Sequence, residues 1–495
     1  MPLKTTPLIV VCLLLAAVAA GTLHAQTSSD AAGPYVLRSV DFDAKGRSRP
    51  FVMMQKIDPY RRMIGMSFPD REALEAFIAD RRQVLLNERV LASVTTSYEA
   101  TPAEGGGFDV ALRFHTVDTI NIVVLPYPKG NTNTGLDIGL RGRDYNFLGS
   151  MQPLELNLDY FLDMDKKSAI GAYLAFETPV RLFGQEWAVG ASENVRVPIG
   201  SGDTPASITK LDLNYRIPIS GFVAKLAASQ TFSYNALGVN PAAEDDPDEW
   251  FLTESLAVSA TIPLTGDVRS LGPLTYSPSL SFVVNWKPGD VLLYHGREGA
   301  TISFDNGFSF GRVDWIDNFR RGLTVSLSND YSYAFAYDDF IGDLSLVVDG
   351  FTPLASWIGV AARISVTDRF LYGSSEDAIG GLGSNMRGIA DARIEAFAAG
   401  FVNLSVPVKL FDVPMHLLFK KNWFDFGLQA QPFVDVGIVP GRADWFLCSS
   451  GLELLVFPAA FRSFIFRVSA GADIMSVVET GDPDWELSFG TGLAY

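Results

Sequence analysis

From Thr119 onward, apolar and polar residues alternate with a period of two almost to the end of the chain. Leu154, Leu156, Leu158 and Tyr160 are separated by Glu155, Asn157 and Asp159. Leu136, Ile138 and Leu140 are separated by Asp137 and Gly139, and Val402, Leu404, Val406 and Val408 by Asn403, Ser405 and Pro407. That period puts one residue class on each face of a strand. In a soluble sandwich the apolar face would meet a core. In a membrane barrel it meets lipid, and the polar face lines the lumen.

Several features favour the membrane. The alternating segments run to about 10–15 residues, enough to cross a bilayer when tilted. Aromatics gather near segment ends, as interfacial girdles do: Tyr160-Phe161, Trp187, Trp250-Phe251, Tyr331, Tyr333 and Trp423-Phe424. Short turns (147–150, 219–221) alternate with longer polar connections, of which 238–249 carries Glu244, Asp245, Asp246, Asp248 and Glu249. The last segment, 485–495, places Trp485, Leu487, Phe489, Leu493 and Tyr495 on one face and Glu486 and Ser488 on the other. The pattern predicts an all-β transmembrane barrel over 119–495, with about 18 strands by direct counting.

The region before the barrel has a different period. Residues 35–42 alternate, and an apolar segment follows at 51–57. Asp70 is a good N-cap for a helix with Ala73, Leu74, Phe77, Ile78, Val84 and Leu85 on one face. Residues 91–100 and 108–116 read as two strands joined by three glycines. The order β-α-α-β-β predicts a small α+β domain over 34–118, whose sheet leaves an edge able to accept a partner strand.

Residues 1–25 read as a secretory signal: Lys4, an apolar run of about 14 residues, and Leu23-His24-Ala25 before a polar linker over 26–33. A chain without that signal keeps a single cysteine, Cys448, so no intrachain disulfide is expected. A formal charge of −17 argues against the basic face that nucleic-acid binding needs. His115, His295 and His416 lie far apart, with no metal-ligand spacing. There is no phosphate-binding loop, nucleophile elbow or paired-cysteine motif, so neither an enzyme nor a cofactor or metal site is expected.

One stretch stands out among the strands. Residues 380–391, GGLGSNMRGIAD, are too rich in glycine for a helix and too poor in β-branched residues for a strand. They read as a long loop with one cation, Arg387, near its centre. The plain reading of Arg387 is a solvated lumen cation.

At these residues the chain resembles the Omp85 superfamily, the outer-membrane barrels of the bacterial surface antigen family that assemble or export other proteins. Residues 34–118 resemble a single POTRA domain. Asp144–Gly149 is similar to the family's second-strand ending, through Asn146, Phe147 and Gly149, with Ser150 where threonine is usual. Met386-Arg387-Gly388-Ile389 is similar to the loop-six motif, with Met386 and Ile389 departing at its flanks. Phe433-Val434-Asp435-Val436-Gly437 resembles the later strand whose aspartate faces the lumen. Ser488, Gly490, Leu493 and Tyr495 resemble the C-terminal signal of outer-membrane proteins.

The resemblance implies about 16 strands, a number preferred here to the direct count. It implies that the loop folds into the lumen and that Arg387 meets Asp435, a planar fork on a carboxylate. A wet lumen would leave that pair little net energy. The resemblance also implies a weak seam between a first strand at 119–127 and the last at 485–495. Pro126 and Pro128 would limit pairing of the first, and Gly490 and Gly492 would weaken the last.

The function expected is an assembly factor of the bacterial outer membrane that templates client β-strands at the seam. Its N-terminal domain would lie in the periplasm. Its partners would be unfolded outer-membrane clients, the lipid bilayer and, through the α+β domain, accessory lipoproteins or chaperones. The alternatives are a two-partner-secretion exporter and a passive porin or structural barrel.

Overall fold

The computed structural model describes residues 34–491, apart from 132–134, 163–167, 201–203, 220, 236–249, 267–270, 290–298, 337, 372–377, 390–393, 415–424 and 483. The signal segment, the acidic connection at 238–249, Leu493 and Tyr495 lie outside the described residues.

The N-terminal unit follows the predicted order. Strand β1 (Tyr35–Lys45) leads to helix α1 (Pro50–Ile57), a two-residue β2 (Ser67–Phe68), helix α2 (Arg71–Asn87), β3 (Leu91–Pro102) and β4 (Phe108–Asp118). Asp70 caps α2, its Oδ1 accepting from Ala73 N at 2.7 Å. The sheet order is β2-β1-β4-β3, with β1 parallel to β4. Leu37, Val52, Met53, Leu74, Leu85 and Phe114 bury against one another as the core. Met151 joins that core from outside the unit, on a turn of the barrel. One packing unit therefore crosses the boundary.

The barrel strands are β5 (Ile122–Asn131), β6 (Gly135–Asp144), β7 (Leu154–Leu162), β8 (Ser168–Leu182), β9 (Gln185–Ile199), β10 (Ala206–Ile219), β11 (Phe222–Tyr234) and β12 (Trp250–Pro263). They continue as β13 (Thr275–Trp286), β14 (Ala300–Ile316), β15 (Phe319–Ala334), β16 (Asp339–Ala355), β17 (Ile358–Leu371), β18 (Ala398–Ser405) and β19 (Val408–Val413). The last four are β20 (Phe426–Ile438), β21 (Phe446–Pro458), β22 (Phe466–Asp473) and β23 (Trp485–Thr491), with a short helix α3 (Ile474–Thr480) before β23. The barrel closes where β23 meets β5.

β18 and β19 both lie between β17 and β20, separated only by Val406 and Pro407. They form one interrupted stave, so among the described residues the 19 segments of the sheet make 18 staves. The expectation of about 16 is corrected in favour of the direct count. The physical reason is the hairpin of β16 and β17. It pairs from Gly342↔Leu371 to Ala355↔Ile358, where a shorter barrel would have a loop.

A second correction concerns the first strand. It begins at Ile122 rather than Thr119, because Asn121 is buried and its Nδ2 donates to Val90 O at the joint with the α+β unit. Pro126 and Pro128 do not end the strand: β5 pairs with β6 without a break from Ile122↔Asp144 to Asn131↔Gly135.

The outer surface is apolar. Val124, Leu140, Leu158, Ile170, Leu211, Leu256, Val258, Leu280 and Phe304 are all exposed. A belt of this size belongs against hydrocarbon rather than water. Aromatic pairs mark its two ends. Trp187 stacks on Tyr215 toward the mouth with short turns, and Tyr331 stacks on Phe340 toward the mouth with long connections.

Candidate functional site

The loop after β17 turns inward. Ile379 and Ala396 exchange backbone hydrogen bonds of 3.0 Å, and Leu382 N donates to Ile394 O at 2.8 Å. Gly381, at φ +72°, opens a 3-10 turn over Leu382–Asn385. Leu382, Met386, Ile389 and Ile394 then bury against Ala399, Phe401, Val439 and Leu447. Met386 and Ile389, which flank the Arg-Gly pair, are thus core residues of the seated loop. Those positions require apolar side chains that fit the wall.

Arg387 stands at the tip. Its Nε and Nη2 donate to the two oxygens of Asp435 at 2.9 and 2.6 Å, and its own backbone N donates to the same carboxylate at 2.9 Å. Nη1 reaches Glu453 at 3.0 Å and Ser405 Oγ at 3.1 Å. The guanidinium lies over the Phe433 ring, 4.0 Å from its centroid. Glu453 also accepts from Arg467 Nη1 at 3.1 Å and Gln431 Nε2 at 2.9 Å. Two guanidiniums thus share two carboxylates.

The expected wet, weakly held pair is corrected here. Asp435 and Glu453 are 0 % exposed and the Arg387 side chain 7 %. A buried pair is a poor source of net stability, but removing one partner leaves a stranded charge that costs about 3–5 kcal/mol. The arrangement therefore favours one position of the loop strongly over others.

Close approach depends on glycines. Gly388 has φ +75°, and a Cβ there would lie 2.8 Å from the Gly471 carbonyl carbon on β22. A Cβ on Gly471 would lie 2.9 Å from Gly388 Cα, and one on Gly437 2.7 Å from Met386 Sδ. Gly388 N donates to Glu486 on β23 at 3.1 Å.

The remaining motif residues sit elsewhere. Asn146 is fully buried in the β6–β7 turn, where its Nδ2 donates to Ser48 Oγ (2.9 Å) and Asp118 (3.0 Å) and its Oδ1 accepts from Met151 N (2.9 Å). Gly149, at φ +71°, accepts from Arg49 N through its carbonyl at 3.0 Å, and Phe147 packs on Phe176. This group joins the α+β unit to the barrel and is separate from the loop site. Ser488 and Gly490 lie on β23, opposite Ser469 and Arg467 of β22.

Glu453, Ser405, Gln431, Arg467 and Glu486 were not anticipated. Glu453 had a signal: it is the one carboxylate in the run Gly451–Phe457, on the parity of Gly451. Among the described residues, no group of three or more His, Cys, Asp or Glu could hold a metal ion.

No family model and no curated protein sequence matches this chain. Among solved structures, CdiB from Acinetobacter baumannii superposes with a TM-score of 0.49 and 13% identity, over 92% of this chain and 73% of that one. CdiB from Escherichia coli gives 0.46 and 12%, over 91% and 76%. BamA from Haemophilus ducreyi lacking POTRA domains 1-3 gives 0.35 and 12%, over 92% and 85%.

Proposed function

We propose that this chain is an Omp85-type protein of the bacterial outer membrane that inserts client β-barrels. The observation that carries the reading is the fork of Arg387 on Asp435 and Glu453. It seats a loop from one mouth against the inner wall that ends at β23, one side of the closure with β5. A strand pair that opens there would offer unpaired N–H and C=O groups to an incoming client strand, which is β-augmentation. The α+β unit would lie in the periplasm as a POTRA-type domain. Its strand β3 has a sheet partner on one side only and would receive clients, chaperones or accessory lipoproteins.

Depletion of the protein followed by quantitative proteomics of the outer membrane tests this. A broad loss of barrel proteins is the expected result. Loss of one secreted protein would instead make the chain an exporter, and no change would make it a passive or structural barrel. A cysteine pair engineered across β5 and β23 should stop client insertion when oxidised and restore it when reduced. Unchanged insertion by the oxidised form would remove seam opening from the mechanism.

A further inference from the structure

The loop tip does more than meet its two carboxylates. Its contacts step across the wall in strand order. Met386 packs over Gly437 of β20, and Arg387 bonds Asp435 of β20 and Glu453 of β21. Gly388 then lies on Gly471 of β22 and donates its N–H to Glu486 of β23. The last of these contacts falls on the strand that closes the barrel against β5.

We propose that Glu486 is a positioning residue that ties the last barrel strand to the seated loop, so that the side of the seam formed by β23 is held as long as the loop is in place. The proposal deepens the function proposed above and takes from it the premise that the seam opens.

Three features make the contact specific. Glu486 pairs in register with Gly471, which has no side chain, so the loop backbone can come within reach of the carboxylate. The left-handed φ of Gly388 turns its N–H in a direction that a β-region residue would not present. Gly388 is buried, so its N–H needs a protein acceptor, and a carboxylate is a strong one. Arg467 braces the neighbouring strand: it bonds Glu453, and its guanidinium lies 3.2 Å from where a Cβ of Gly490 on β23 would stand.

Hydrogen exchange of the full-length protein in lipid nanodiscs, read by mass spectrometry over β20, β21 and β23, tests the coupling without any client. Glu486→Ala should raise exchange of the β23 amides about tenfold, the scale of one lost charge-assisted bond. It should leave β20 and β21 near wild type, because Asp435 and Glu453 still hold Arg387. Glu486→Gln keeps a carbonyl acceptor and should restore most of the protection. Arg387→Ala should raise exchange in all three strands.

Unchanged exchange of β23 in Glu486→Ala would overturn the proposal. So would equal loosening of β20 and β21, which marks a general structural loss, or a Glu486→Gln variant as loose as the alanine. If Glu486→Ala does not fold, Glu486→Asp, one methylene shorter, should show the same selective loosening, and its absence would count against the proposal. Exchange does not report client insertion, so failure of the insertase reading would leave this result standing on its own.

Discussion

At the scale of single residues, the site is an exercise in removing room. Arg387→Ala should leave a barrel with a loosened loop, at a cost of about 3–5 kcal/mol, because the buried Asp435 loses its guanidinium fork while Glu453 keeps only Arg467 and Gln431. Heat-modifiability on gels and thermal unfolding would measure it. Arg387→Lys should rescue little, since one ammonium cannot span both Asp435 oxygens, Glu453 and Ser405. Gly471→Ala should resemble Gly388→Ala although the residues are far apart in sequence. Each new Cβ would meet the other's backbone at 2.8–2.9 Å, which calls for a backbone shift of about 1–3 kcal/mol. Arg387 and Asp435 were legible in the sequence because each sits in a distinctive local pattern. Glu453 and Glu486 were legible as inward polar residues but not as partners of the loop. Every strand carries inward polar residues, and which of them face one another across four strands depends on register and stagger, which alternation alone does not encode.

At the scale of elements, alternation gave the strands and their number, and local chemistry explains the rest. At the interruption of β18 and β19 the stave keeps hold of its neighbours, since Val406 N donates to Pro432 O at 3.0 Å and Pro407 O accepts from Gly359 N at 2.9 Å. The β6–β7 turn is where sequence reading placed a strand ending and the structure places a joint. Asn146 bonds Ser48, Asp118 and Met151 there, and a Cβ on Gly149 would lie 1.9 Å from Arg47 O. Asn146→Ala strips three bonds from a buried site and should cost about 1–3 kcal/mol. Limited proteolysis should then cut between the α+β unit and the barrel faster than in the wild type, with β-content by circular dichroism unchanged. Equal cleavage rates would show that the turn does not hold the unit in place.

At the scale of the whole molecule, the α+β unit bridges widely separated points on the short-turn mouth. Arg61 and Gln55 reach Glu186 at the start of β9, at 2.6 and 2.8 Å, where Arg216 of β10 also bonds. Asn87 reaches Asp314 at the end of β14 at 2.7 Å, and Asp80 accepts from Arg312 at 2.8 Å. Arg89 bonds the Arg462 carbonyl between β21 and β22, with its guanidinium 4.2 Å from the Trp315 ring centroid. Burial holds the Arg89 pKa down to about 10, with the Arg462 charge adding to the effect. A cation is a costly group to bury, and its stacking on Trp315 is what the site offers in return. Anchors on β9, β14 and the β21–β22 turn cannot all be satisfied unless the unit lies across the opening between them. Removing residues 34–118 should therefore raise single-channel conductance in planar bilayers well above that of the full chain. Glu186→Ala removes the acceptor of Arg61 and Gln55 and leaves Arg216 only its bond to Pro59 O, and should produce frequent partial openings. Arg89→Ala weakens the third anchor without releasing it, because Arg462 Nη1 still donates to Ala92 O and Ser463 Oγ to the residue 89 carbonyl, and should give rarer ones. A full chain that already conducts like the truncated barrel would mean that the unit rests on the rim without closing it.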